Sequence, residues 1–256
     1  MPANKPPRGL KSALKASSPV KLTGSGRFKG FQLVSTKRKL AGLTKRLEQK
    51  MFSAGIFSAY ALKGSERRRG WAGSNGGIRR GKAVDSQLTR FVNAGKTVPK
   101  KGMYSLTKLA LLTLKMSSLV PVMAQRGCCS QANRVATACD LVCYDVASKR
   151  IVVVEVKCGF SGSRTCSATE NGKECRMHPP LDQATDCFLN RHMAQLAATT
   201  RMLQNESELM KKVSTLGINC DRIDGALLYL NEEKCDLFRL NSWWRRRSQK
   251  IVDALA

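Results

Sequence analysis

Hydrophobic and polar positions change rhythm along the chain. Through the front segment ("MPANKPPRGLKSALKASSPVKLTGSGRFKG" and onward) Lys, Pro, Ser and Gly interrupt every apolar run, and no helical or strand period is sustained. Residues 1–75 therefore read as a basic, largely disordered arm. From Gly81 to Ala94, Val84, Leu88 and Val92 recur at helical spacing, and "SLTKLALLTLKM" (Ser105 to Met116) gives a second, more apolar helix. The segments "SLVPVMAQ", "RVATACDLVCYD" and "RIVVVEVKCGF" are rich in β-branched residues and predict consecutive antiparallel strands. After a Gly/Ser/Thr/Asn-containing loop (161–180), Phe188, Met193, Leu196, Thr199 and Leu203 mark one side of a long helix. "RIDGALLYL" and "CDLFRL" predict two more strands joined through "NEEK", and "SWWRRRSQKIVDAL" a closing helix with Ser242 as its N-cap. No internal repeat is present.

A 256-residue chain with 42% hydrophobic residues can bury one good-sized core. Its 45 Lys and Arg against 18 Asp and Glu leave a formal +27, which points to a polyanionic partner, nucleic acid first. Residues 1–100 hold 23 of those basic residues and 3 of the acidic ones, so the excess lies at the front. No opening segment reads as a signal peptide and no apolar run reaches the roughly 18 residues that span a bilayer. The expectation is a soluble intracellular protein with no membrane partner, nuclear rather than cytoplasmic, with "STKRKL" and "SERRRG" as import signals or phosphate contacts. Ten cysteines in such a chain read as reduced and mostly packed as small hydrophobes. The sharper alternative takes Cys166, Cys175, His178 and Cys187 as a zinc set, on the C-x-x-H spacing of the middle two.

"KRIVVVEVKCGF" sets Glu155 and Lys157 into an otherwise apolar strand, where burial of either charge is costly. Alternation puts both on the face of Ile151 and Val153. With the preceding turn centred on Ala147 and Ser148, Asp145 pairs with Arg150, and the same register carries Asp140 opposite Glu155. Two carboxylates and one ammonium then converge, and a divalent cation resolves the surplus of negative charge. Hard oxygen ligands without a histidine favour Mg2+ or Mn2+ over zinc. The plain alternative is a solvated edge-strand face.

Asp140 followed after 14 residues by Glu155-Val156-Lys157, on two hydrophobic strands ahead of a long helix, resembles the PD-(D/E)XK nuclease superfamily. "GKAVDSQL" resembles the Gly-x-x-x-acid helix that precedes the sheet in many members. "HMAQLAATTRML" is similar to the Gln-bearing helix of the lambda-exonuclease, RecB-like and viral alkaline nuclease branch. Cys139 stands where the name-giving Pro would be, Asp85 replaces the more usual Glu, and Thr199 takes the place of a Tyr. The resemblance implies an α/β (α+β), restriction-endonuclease-like core over residues 76–256: a small mixed sheet with an antiparallel hairpin, flanked by helices. It implies that Asp140, Glu155 and the carbonyl of Val156 bind the metal and that Lys157 orients or deprotonates the attacking water. Asp85 would hold a second metal or its water shell, and Gln195 would steady the water or Lys157.

Around such a site Arg79, Arg80, Lys82, Arg134 and the arm are expected to hold the nucleic-acid backbone, with His192 as a phosphate contact or surface residue. Trp243 and Trp244 either stack on bases or pack the last helix. The function expected is a metal-dependent DNA nuclease, an exonuclease before an endonuclease, in replication or recombination of a viral or mobile genome, with a viral single-strand-binding or recombination protein as partner. The competing expectations are a non-catalytic nucleic-acid-binding protein on a nuclease-like scaffold and a packaging protein whose basic arm condenses nucleic acid.

Overall fold

A computed structural model describes residues 5–23, 30–57, 76–96, 98, 100–158, 164–231 and 234–256, with 76–78 described in backbone only. The basic cluster at 65–70 lies outside them. The elements in chain order are α1 (Leu10–Ala16), β1 (Val20–Thr23), β2 (Gly30–Leu33), β3 (Lys39–Gly42), α2 (Leu43–Lys50), α3 (Gly76–Asn93) and α4 (Ser105–Met116). The long strands β4 (Leu119–Ser130), β5 (Val135–Asp145) and β6 (Arg150–Cys158) follow, then the short pair β7 (Thr169–Glu170) and β8 (Lys173–Glu174). The chain closes with α5 (Phe188–Gln204), α6 (Ser207–Ser214), β9 (Asp224–Leu230), β10 (Cys235–Arg239) and α7 (Ser242–Asp253).

Eight strands form one mixed sheet in the order β1-β2-β3-β5-β6-β9-β10, with β4 on the other edge of β5. The β-branched runs at 119–158 pair as antiparallel neighbours, and the hairpin joining β5 to β6 has the expected register, Asp145 opposite Arg150 through Leu141 opposite Val154. The parallel contacts are β6 with β9 and β3 with β5. One edge of β5 is thus divided: β6 pairs with 141–145, while β3 pairs with Val135 and Ala136. Between the two partners, residues 137–140 have no ladder pair on that edge among the described residues.

Alternation along the strands feeds two helical layers. Val152, Val154, Ala226 and Leu228 pack on Val84, Leu88, Leu111 and Leu114 of α3 and α4. Ile151, Val153, Leu227 and Tyr229 pack on the opposite side, against α5, α7 and the front helices. Helix α5 lies close on the sheet because β9 carries Gly225, where a Cβ would stand 2.9 Å from Thr200 Cγ2 and 3.0 Å from Leu196 Cγ. Among the described residues no helix is long and apolar enough to cross a membrane.

The described residues of the front, 5–23 and 30–57, depart from the disordered arm expected for residues 1–75, whose remainder lies outside the described residues. Leu10 and Leu14 of α1 and Leu43, Leu47 and Met51 of and after α2 are at most 1% exposed and belong to the main core. Val20, Leu33 and Leu40 of β1–β3 form a smaller core with Cys129 and Ala136, and β1 returns against β4 so tightly that a Cβ on Gly127 would stand 3.0 Å from the Val20 carbonyl oxygen. The lysines sit between these apolar positions and face solvent, which masks an i, i+4 pattern that nonetheless removes about 2 kcal/mol worth of apolar surface from water per leucine. A buried ion pair fastens the segment: Arg126 of β4 reaches Glu206 (Nη1 to Oε1 2.9 Å, Nη2 to Oε2 2.5 Å) and donates through Nε to the Leu14 carbonyl at 3.2 Å.

One smaller correction, to the N-cap, and one choice between the two roles of the tryptophans concern the end of the chain. The closing helix starts at Ser242, and its N-cap is Asn241, whose Oδ1 accepts from the N–H groups of Trp243 and Trp244. Trp244 is buried in the main core, and Trp243 lies under the Arg247 guanidinium at 3.9 Å from the ring centroid, so the pair packs the helix rather than standing free for bases.

Candidate active site at the divided edge of β5

Glu155 is 3% exposed on β6, and every charge near it bears on its carboxylate. Lys157, two residues on and on the same face, places Nζ 2.7 Å from Glu155 Oε1. Gln195, on the sheet-facing side of α5, donates Nε2 to that same oxygen at 2.6 Å, and Lys157 Nζ donates to Gln195 Oε1 at 3.3 Å. The three side chains close a triangle. Glu155 Oε2 is buried and has no hydrogen-bond partner among the described residues.

The β5/β6 ladder stops one pair short of Asp140 and Glu155. In place of a main-chain partner, the Val156 N–H donates to Asp140 Oδ2 at 2.9 Å. The two carboxylates nonetheless share a cleft of about 310 Å³ lined by Gly81, Lys82, Asp85, Asp140, Glu155, Val156, Lys157 and Cys158. The strands change phase here. Cys139 packs on the α5 side while Leu141, two residues on, packs on the α3/α4 side. Across from them β4 does the same around Gln125, whose φ of 56° is left-handed, with Ala124 and Arg126 turned to opposite layers. That conformation is uncommon for a residue with a Cβ. It delivers the Gln125 amide to two acids at once: Nε2 donates to Asp85 Oδ1 at 2.8 Å and lies 3.4 Å from Asp140 Oδ1.

Burial, and after it the neighbouring Glu155 charge, holds the Asp140 carboxyl well above the usual carboxylate range, against the opposing pull of Lys157 and the Val156 N–H. For Lys157 burial pushes the ammonium down, but Glu155 and Asp140 outweigh it and hold the group above the ordinary lysine value. Burial drives the Cys158 thiol up to about 12, so it is an inert wall of the cleft. No three His, Cys, Asp or Glu side chains of the described residues converge as metal ligands. The zinc set of Cys166, Cys175, His178 and Cys187 is therefore not assembled. The cleft does fit a hard cation on other grounds: it offers the orphaned Glu155 Oε2, an Asp140 carboxyl whose ionised form lacks compensation, and only oxygen donors among the acids.

The structure thus brings Asp85, Asp140, Glu155, Val156, Lys157, Gln195 and Lys82 together. Four other expected positions lie outside that group. Arg79 is exposed on α3, while Arg80 is 1% exposed, because Arg80, Val84 and Leu88 share the core-facing side of that helix; it is no surface phosphate contact. Arg134 is exposed at the β4/β5 turn, roughly 20 Å along β5 from Asp140 at ~3.3 Å per residue, and does not join the cleft. His192 lies beneath the site, its Nδ1 2.6 Å from the Tyr229 hydroxyl, with Tyr229 opposite Lys157 in the β6/β9 register. Burial and then the Lys157 charge hold its pKa well below the usual histidine value, so it is a neutral ring and not a cationic phosphate contact.

Gln125 is the member of the cluster that the sequence reading did not single out. An uncharged amide in a strand carries no signal of its own, and only the β4/β5 register, which sets it between Ala124 opposite Leu141 and Arg126 opposite Cys139, places it facing Asp140. In comparisons with protein-family models, curated proteins and solved structures, nothing matches the chain.

Proposed function

We propose that the protein is a metal-dependent DNA nuclease with a restriction-endonuclease-like core of the PD-(D/E)XK type, resembling the lambda-exonuclease and RecB-like branch. The observation that carries the reading is the meeting of Asp140, Glu155 and Lys157 in one cleft, with Gln195 closing on the Glu155 oxygen from α5. A scaffold that only binds nucleic acid gains nothing from two carboxylates whose mutual repulsion must be offset. Asp140, Glu155 and the Val156 carbonyl would hold Mg2+ or Mn2+, with Asp85, linked to Asp140 through Gln125, behind them. Bound there, such an ion acidifies water and offsets the charge that builds on a phosphate under attack.

The chain's own groups do the positioning. Lys157 enters the reaction as an ammonium, since the two acids hold its proton, and it orients the incoming water toward the phosphate. Gln195 fixes one Glu155 oxygen, and the other is left without a hydrogen-bond partner among the described residues. Lys82 at the rim neutralises the phosphodiester on its way in. The formal +27 fits a DNA substrate gathered without regard to sequence, as exonucleolytic replication or recombination of a viral or mobile genome requires.

The test incubates linear and circular DNA with magnesium, using wild type and Lys157→Ala. Metal-dependent loss of linear DNA by the wild type alone is the expected result, and nicked circles would make the enzyme an endonuclease. Binding of DNA with no cleavage of either form would leave the non-catalytic or packaging reading in its place.

A further inference from the structure

Away from the acidic cleft, the C-terminal half of α3 and the segment after it enclose a second concavity of about 270 Å³. Arg90, Lys96, Lys100 and Lys101 line it together with Gln87, Phe91, Ala94, Gly102 and Met103, and its described lining contains no acid. The backbone makes this gathering. Gly95 (φ 75°) ends α3 with a left-handed residue, and Gly102 (φ 83°) turns the chain again before α4, so three lysines from a six-residue stretch stand beside Arg90. Tyr104 N–H donates to Gln87 Oε1 at 2.9 Å and fixes the returning segment to the helix. Contact with Lys96 pulls the Lys100 ammonium below the ordinary lysine value, as two like charges with no anion between them require.

The concavity and the acidic cleft are joined by the solvent ridge of α3. Arg79, Lys82, Ser86 and Arg90 all point outward on that helix and none is acidic. Lys82 belongs to the rim of the cleft and Arg90 to the lining of the basic concavity. Eight residues of helix separate them, about 12 Å at 1.5 Å per residue, which spans roughly three to four nucleotides at ~3.4 Å per strand step.

We propose that the Arg90/Lys96/Lys100/Lys101 concavity is a phosphodiester subsite, and that the α3 ridge carries one nucleic-acid strand from it to the acidic cleft. The ligand class is the backbone phosphate of a polynucleotide and not a free phosphate or mononucleotide, because only a continuous strand occupies the ridge and the concavity together. The assignment of the cleft as the cutting site rests on the function proposed above; the phosphate subsite rests on its own lining.

The experiment measures binding of a fluorescent 20-nucleotide strand and its duplex to the full chain in EDTA from 50 to 200 mM salt. It uses wild type, Lys96→Ala/Lys100→Ala, and the charge-matched control Lys211→Ala/Lys212→Ala on α6. The expected result is a loss of about tenfold in affinity at low salt for the first double variant, with a log–log salt slope smaller by at least ~0.7, and a change under about twofold for the control. For a dinucleotide, whose single phosphodiester cannot bridge the ~12 Å from cleft to concavity, the loss is expected to shrink to under about threefold. Equal losses in the two double variants would overturn the subsite, and an equal loss for the dinucleotide would overturn the strand path along α3. Cleavage assayed in parallel with magnesium separates the two claims: a wild type that binds as described but cuts nothing removes the nuclease reading and leaves the subsite standing.

Discussion

Gln125 and Asp85, forty residues apart, are joined by a 2.8 Å hydrogen bond from Nε2 to Oδ1, and the same amide stands 3.4 Å from Asp140. One neutral group thus separates two acids. Gln125→Glu replaces that donor with a third carboxylate and is expected to lower stability by about 2 kcal/mol in EDTA, or ~4–8 °C in melting temperature for a domain of this size. Millimolar Mg2+ is expected to recover most of it. A thermal melt of the variant that is unmoved by EDTA and by Mg2+ alike would remove Gln125 from the site.

Lys157 is held by Glu155 and Gln195, and loses both contacts on truncation. Lys157→Ala is expected to reduce the cleavage rate by about 10²–10⁴ and to cost about 2 kcal/mol, because the buried Glu155 side chain is then left with one partner fewer. Steady-state cleavage alongside urea unfolding reads both. A rate within twofold of wild type would show that the ammonium takes no part in the reaction.

The raised pKa of Asp140 has a defined sign. Between the ordinary carboxylate value near 4 and the higher folded value, the native state holds a proton that the unfolded chain has released, so stability falls as pH rises through that window. Melting temperature in EDTA is therefore expected to decline as pH rises above the ordinary carboxylate value. Asp140→Asn, which keeps an acceptor for the Val156 N–H, is expected to flatten the decline and to abolish any gain from Mg2+. An identical pH dependence in wild type and variant would place the responsible group elsewhere.

Arg126 holds the front segment to the sheet through Glu206, Leu14 and Ser17. Arg126→Ala leaves Glu206 without its main partner and is expected to cost about 3 kcal/mol, with residues 5–50 opening first to protease. The double variant Arg126→Met/Glu206→Leu, which removes both charges, is expected to regain most of that loss. Proteolysis rates that do not change in Arg126→Ala would mean that the front segment docks without the ion pair.

The parts of this architecture that were legible in the sequence are those where packing alone decides the pattern. The β-branched runs of β5 and β6 are buried on both faces, and the four-residue turn at 146–149 fixes the Asp145 to Arg150 register from which the Asp140 and Glu155 neighbourhood follows. Legibility failed where polar residues carry structure. The front helices hide Leu10, Leu14, Leu43 and Leu47 among lysines, and α6 shows only Leu209 and Val213 as its buried pair. The chemistry of Arg80 and His192 suggests surface roles, although Arg80 falls in phase with Val84 and Leu88. Gln125 depends on the left-handed backbone it adopts in β4, which is set by the sheet around it rather than by the residue itself.

The β3 strand touches β5 through only two residue pairs, Ala41 with Val135 and Gly42 with Ala136, yet those pairs cover the end of β5 that β6 leaves bare. A chain shortened from its front would strip that cover and present unsatisfied backbone beside wholly buried apolar side chains, the ordinary template for edge-to-edge aggregation. Trimming the front as though it were a dispensable tail is therefore expected to yield insoluble protein, and a test of the proposed cutting chemistry begins from a chain that retains its first fifty residues.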